Sequence, residues 1–384
     1  MARPLEGPEE LIEALRDRVL TVAPERKAND IIGHVDPECG GLVLTGPTSR
    51  DATPGLNHYR ERLLIARDPA RYTKQVATAG DPFGVAADDG GLFGHATLAD
   101  RLRDQTRTRW SAFAVTPTGY IPADGQAALD AVVDRTNEID DQALVVALPV
   151  GHLWLAEPRV RRLMAAIQSI HHPIALVIDG GNRTDPQEQP GVSEQLRALC
   201  ASCDRLVVWR TDLAGLDSLA HGALGAAVGI YPGLRHGMRP PCEDDKKDGG
   251  PAGSFSALLV RELLRFMRID QEKNRFFDAV CGLECPCTVC QGRSLASFKD
   301  IGEDQLLVAR HNTIVINALG ADLAACNAGL DRLDWWRQQL ADAIERHRHM
   351  AAKAQIREKD AVPAVLLRWL QGSPPPLTEG TALG

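Results

Sequence analysis

Short, almost wholly apolar runs recur along this chain, and stretches of helical spacing separate them. They read GLVLTG at 41–46, FGVAAD at 83–88, SAFAVTP at 111–117 and ALVVALPV at 143–150. PIALVIDG at 173–180, RLVVWRTD at 205–212, LGAAVGIY at 224–231 and SFSALLV at 254–260 follow. Runs without polar alternation predict strands buried on both faces. Segments such as EPRVRRLMAAIQSI and SEQLRALCASC predict the amphipathic helices that cover them. Eight such units fit a closed (β/α)₈ TIM-like barrel. An open doubly wound sheet would want a Gly-rich phosphate loop after its first strand, and the sequence offers none there.

The expected organisation is an N-terminal helical segment over 1–40 and a barrel over 41–275. A metal-binding insertion over 276–320 follows, then C-terminal helices and a disordered tail over 321–384. The helical pattern after residue 311 (NTIVINALGADLAACNAGLDRLDWWRQQL) predicts long helices packed on the outside of the barrel. No apolar run approaches the ~20 residues that cross a bilayer. The first residues, MARPLEGPEELIEALRDRV, carry carboxylates where a signal peptide would be apolar. These features predict a cytoplasmic protein with no membrane partner. A net charge of −8 excludes a histone-like, non-specific nucleic-acid binder. It leaves room for a local basic groove built from 101–109, 159–162 or 346–359, each of which could equally be a solvated helix face.

Four of the nine cysteines fall within CGLECPCTVC at 281–290. In a reducing compartment such clustering points to metal in preference to disulfide. Cys285, Cys287 and Cys290 supply three zinc ligands on one tight turn, with Cys281 or His311 as the fourth. A site filled by four protein ligands is structural. Cys200 and Cys203, by contrast, sit in a helical context and read as two buried thiols.

C-x-C-x-x-C followed by His311-Asn312 in LLVARHNTI resembles the zinc signature of the tRNA-guanine transglycosylase superfamily. That resemblance implies a (β/α)₈ barrel with a zinc subdomain after the last strand, and it selects His311 over Cys281. ADDGGLF at 87–93 is similar to the Asp-Ser-Gly-Gly-Phe-Gln motif of the family. LDSLAHGALGAAVGIYPGLRHG at 216–237 resembles the segment leading to the family's nucleophile and a following Arg. Two departures stand out. The nucleophile stretch, GAAVGIYP at 225–232, has no carboxylate, and neither does the base-reading stretch VTPTGY at 115–120.

Barrels place their chemistry at strand C-termini, where Asp88, Asp89, Asp179 and Asp212 remain. Asp88, with Asp89, is expected to stabilise a sugar cation or activate water, and Asp212 is a further catalytic candidate. Asp179, Tyr120, Arg235 and His236 are expected substrate contacts. Turn or helix-cap roles would equally suit Asp179 and Asp212, and Trp154 and Tyr231 suit rim packing. Losing the nucleophile while keeping an acid favours hydrolysis over base exchange. The expectation is a DNA glycosylase excising a modified base from a flipped or unpaired nucleotide. Glucosylated hydroxymethylcytosine in phage DNA, an antiviral target, is one instance. DNA is favoured over tRNA because no RNA-binding module is evident after the barrel. A base-exchanging transglycosylase and an inactive accessory subunit are the alternatives, and the sequence allows a homodimer.

Overall fold

The structure, a computed structural model, describes residues 5, 7–84, 97–107, 110–139, 142–181, 185–241, 256–269, 283–327 and 330–371. Helix α1 (Gly7–Leu15) precedes β1 (Arg18–Pro24), α2 (Ala28–Ile31), β2 (Leu42–Thr45), α3 (Thr53–Tyr59) and β3 (Ile65–Asp68). Next come α4 (Leu98–Arg107), β4 (Ala114–Val115), α5 (Gln126–Asn137), β5 (Leu144–Gly151), α6 (Arg159–Ser169) and β6 (Ile174–Asp179). The unit ends with α7 (Val192–Ser202), β7 (Leu206–Thr211), α8 (Ala214–Ala220) and β8 (Gly225–Gly229). The eight strands form one parallel sheet in the order β3-β2-β1-β8-β7-β6-β5-β4. A parallel bridge from Ala66 to Phe113 joins its two ends, closing a TIM-like barrel.

The expected number of strands is right, but two members differ. RVLTVAP forms β1 inside the segment expected to be helical, so the barrel begins at Arg18 and not at residue 41. Its apolar run abuts an amphipathic helix directly, which hid the boundary. IARD forms β3, too short and too charged to register as a strand. Of FGVAAD, Phe83 and Gly84 lie in a bend, and residues 85–88 lie outside the described residues. SFSALLV contributes β9 (Ala257–Val260), which pairs antiparallel with β10 (Arg265–Arg268) in a separate hairpin.

Strand alternation sends Leu20, Val22, Val43, Ala66, Val145 and Val207 into the barrel interior, where Leu11 and Leu15 of α1 join them. Helix α1 thereby plugs the N-terminal end. Full burial of each leucine contributes roughly 1.5–3 kcal/mol. The remaining elements are the short strands β11 (Glu284–Cys285) and β12 (Arg293–Ser294), then α9 (Gly302–Ala325), α10 (Leu330–Ala354), α11 (Glu358–Ala361) and α12 (Ala364–Leu370). Helix α9 packs on β1 and α8, in the place of the barrel's eighth helix. A Cβ on Gly320 would come within 2.6 Å of Val19 Cγ2, so only glycine lets α9 lie this close to β1.

A buried ion pair ties the last helices to the barrel. Arg197 of α7 donates to both oxygens of Asp217 in α8, at 2.8 and 2.7 Å. It also donates to the Trp369 carbonyl oxygen at 2.6 Å, and Trp336 Nε1 donates to Asp217 at 2.8 Å. Asp217→Ala leaves Arg197 charged and buried, and is expected to cost about 3–5 kcal/mol in chemical denaturation. A change below about 1 kcal/mol would show the pair to be solvated in solution. No helix among the described residues is long and apolar enough to cross a membrane.

Candidate metal centre and barrel mouth

The zinc ligands expected from the sequence come together. Cys285, Cys287 and Cys290 place their sulfurs 3.4, 3.7 and 3.2 Å from His311 Nδ1. A tetrahedral zinc, with Zn–S about 2.3 Å and Zn–N about 2.0 Å, separates sulfur from nitrogen by about 3.5 Å. The four groups therefore fit a metal ion, with no place left for substrate. Positive φ at Gln291 and Gly292 tightens the turn that gathers the sulfurs, and the Cys290 N–H points to Cys287 Sγ at 3.4 Å. His311 Nε2 lies 2.8 Å from the Leu259 carbonyl oxygen, which holds the proton on Nε2 and frees Nδ1 for metal.

The neighbouring Asn312 accepts from Leu259 N–H at 2.8 Å and donates to the Ala257 carbonyl oxygen at 2.9 Å, satisfying the free edge of β9. The His-Asn pair thus clamps β9 from one face of α9. Three thiols this close resist joint ionisation. A hydrogen bond with Cys290 pulls Cys285 down to about 3. The same bond pushes Cys290 up. Burial lowers His311, but hydrogen bonds with Cys285 and Cys287 outweigh it and lift the imidazole to about 9. A bound dication removes that conflict. Around the centre, Leu258, Val260, Leu295, Phe298, Val308 and Met350 make a small core of their own.

The C-terminal end of the barrel opens into a cleft of about 970 Å³. Arg67, Arg71, Lys74, Arg101 and Arg210 line it together with threonines, Gln105 and apolar groups, and among the described residues its lining includes no acid. A recess of about 290 Å³ shares Pro69, Arg71, Lys74 and Pro117 with it. Two acids sit behind these cations. Glu25, fully buried, lies 3.7 Å from Arg67. Asp68, at the end of β3, accepts from Ala70 N–H, Tyr72 Oη–H and Trp209 Nε1–H at 2.7, 2.7 and 3.1 Å. With those three donors and 1% exposure, Asp68 braces the interior of the mouth and does not face substrate.

A second constellation occupies the rim over β6, β7 and β8. The carboxylates of Asp185 and Asp212 and the imidazole of His236 converge, with one polar atom of each within 4.8 Å of the others. His236 Nδ1 lies 3.8 Å from Asp185 Oδ1. Asp185 accepts from Gln187 N–H and Asp212 from Ala214 N–H, each at 2.8 Å, so backbone turns fix both acids. Burial and the adjacent Asp212 charge push Asp185 up to about 8, while burial pushes His236 down. The trio thus sets a carboxyl that burial and its acidic neighbour hold up beside an imidazole that burial holds down, an acid–base set.

The other expected residues divide by use. Tyr120 and Asp179 form a pair on the neighbouring rim, where burial and then the Asp179 charge raise the phenol to about 12. Burial raises Asp179, against the Gly181 N–H and the Arg239 charge. Arg235 is spent on packing: its guanidinium lies 3.5 Å over the Phe266 ring and donates to the Gly229 and Ile230 carbonyl oxygens. Trp154 is buried with its N–H on Pro122, and Cys200 and Cys203 are buried thiols. Asp88 and Asp89 lie outside the described residues. Sequence reasoning missed Asp68, Arg210 and Asp185. Asp185 stands in the loop after β6, at the barrel's chemical end, and that position was the available signal.

No known family profile matches this chain, and no curated protein does. Among solved structures, a Rhizobium etli pyruvate carboxylase variant crystallised without acetyl coenzyme-A aligns at 13% identity with a TM-score of 0.28. The alignment covers 97% of this chain and 43% of that one. Similarity at that level carries no argument about fold or function.

Proposed function

We propose that this barrel cleaves base–sugar bonds in nucleic acid, with hydrolytic excision of a modified base from DNA as the specific reaction. The observation that carries the reading is the Asp185–Asp212–His236 trio beside a cation-lined mouth. The loop at 233–238 serves both: Leu234 and Met238 line the cleft, and His236 meets the acids. The Cys₃His centre after the barrel supports the likeness to the tRNA-guanine transglycosylase superfamily that its motif suggests.

In this reading Asp185 gives its proton to the departing base as the C1′–N bond breaks. The Asp212 carboxylate stabilises the sugar cation and takes a proton from the water that attacks C1′. Strand β8, which bears the nucleophile in the family, is here a buried run of small and apolar residues, Gly225–Gly229. That favours direct attack by water over a covalent intermediate. The zinc would hold Cys285, Cys287, Cys290 and His311 together and take no part in the reaction.

The test is mass spectrometry of bases released from modified phage DNA, unmodified DNA and bulk tRNA. Release from modified DNA, leaving abasic sites, is the expected result. A covalent adduct trapped with a competing base would move the assignment to transglycosylation. Tight binding with no released base from any substrate would make the chain an accessory subunit.

A further inference from the structure

Arg210 is the residue the chemistry above leaves unexplained. It sits at φ +50° on β7, where the register with β8 shifts between Trp209 and Thr211. The left-handed region costs a non-glycine residue about 1–3 kcal/mol. The irregularity lets two consecutive side chains enter the barrel mouth: Trp209 reaches Asp68, and Arg210 lies over the Tyr72 ring, 5.6 Å from its centroid. Arg210 is 4% exposed, yet it lines the cleft. Its Nη1 donates to Tyr72 Oη at 3.3 Å and its Nη2 to the Gly233 carbonyl oxygen at 3.0 Å, while its buried Nε has no acceptor among the described residues. A guanidinium held by neutral acceptors on two nitrogens, with the third unsatisfied, is a planar donor fixed in advance. Arg71 and Lys74 of the following turn line the same cleft and its adjoining recess.

We propose that Arg210, with Arg71 and Lys74, forms a phosphate seat at the barrel mouth that holds one phosphate of the substrate strand. The seat rests on the nucleic-acid reading for the identity of the polymer, while anion binding as such does not. Backbone strain at β7 is what points a rigid, buried cation at the place where a polyanion must enter. Lys74 adds an exposed charge at its edge, and a single strand pays about 0.7 log unit of salt dependence for each phosphate so neutralised.

The experiment measures fluorescence anisotropy of a short single-stranded oligodeoxynucleotide across a salt series, with inorganic phosphate as competitor. It compares the intact chain with Arg210→Lys and with Arg71→Gln/Lys74→Gln. Arg210→Lys keeps the charge but loses the fork, and is expected to weaken binding about tenfold. The double variant, at a half-buried and an exposed position away from β7, is expected to weaken binding more than tenfold and to flatten the salt slope by about 0.7, the share of the one phosphate held. Competition by millimolar phosphate assigns the seat to a free phosphate group; its absence assigns it to the phosphodiester of the chain. Unchanged affinity and slope in the double variant overturn the seat, even if base release persists and the proposed function stands. Weakened binding in a protein that releases no base from any substrate keeps the seat and overturns the glycosidic reading.

Discussion

Cys290→Ser is expected to abolish metal binding and to unfold the segment from β9 to α11. Structural zinc contributes apparent binding free energies of about 10–16 kcal/mol to small domains, and that energy is folding energy. Here a bound metal would support a small core of which Cys285 and Cys290 are themselves buried members, packed with Leu295, Phe298 and Val308. The same change should reach the barrel, because α9 begins in this module and continues as the cover over β1. Asn317 of α9 accepts from the Asp36 N–H at 2.7 Å, in the loop before β2. Elemental analysis should find one zinc per chain in the intact protein and none in the variant. Hydrogen exchange should show lost protection in the first turns of α9 and the last turns of α10. An intact protein free of metal, or a metal-free variant with unaltered melting, would overturn the assignment.

Replacing Asp185 by Asn is expected to slow the proposed reaction sharply while making the protein more stable above neutral pH. Asp185 binds its proton until about pH 8 in the folded chain, because burial and Asp212 oppose its ionisation. In the unfolded chain it ionises near 4. Between those values the folded state holds a proton that the unfolded state has released, so stability falls as pH rises from about 4 to 8. Asparagine removes that slope, and the gain above pH 8 should be about 1–3 kcal/mol after allowance for partial exposure and for coupling to Asp212. Loss of a general acid should cost 10²–10⁴-fold in rate. The matching change, Asp212→Asn, removes the repulsion instead and should bring Asp185 back toward an ordinary carboxylate. Urea denaturation of the three proteins across pH 5–9 checks the sign. An Asp185→Asn variant less stable than the parent at pH 8 would show that the acid serves the fold and not the reaction.

That opposition between stability and chemistry marks residues which folding alone would not select. Asp217, more deeply buried than Asp185, is the contrasting case, since a bidentate Arg197 partner meets its charge. The two aspartates thus differ in whether the fold places a cation or a second anion beside them.

The alternation of apolar and amphipathic segments was enough to specify a parallel eight-stranded barrel, because strands buried on both faces must be apolar throughout. The spacing of Cys285, Cys287 and Cys290 was enough to specify a cluster able to hold a metal ion, since ligands this close in sequence converge on one turn. The strands β1 and β3 were not legible: RVLTVAP merges with the helix before it, and IARD carries half its length as charge. Nor could the sequence say that Asp185 and His236 meet Asp212, that Arg235 is buried over Phe266, or that the described lining of the mouth is cationic. Those facts depend on which loop ends lie side by side around a closed cylinder. Residues fifty positions apart in the chain become neighbours there through closure of the sheet, a long-range property that no local periodicity encodes.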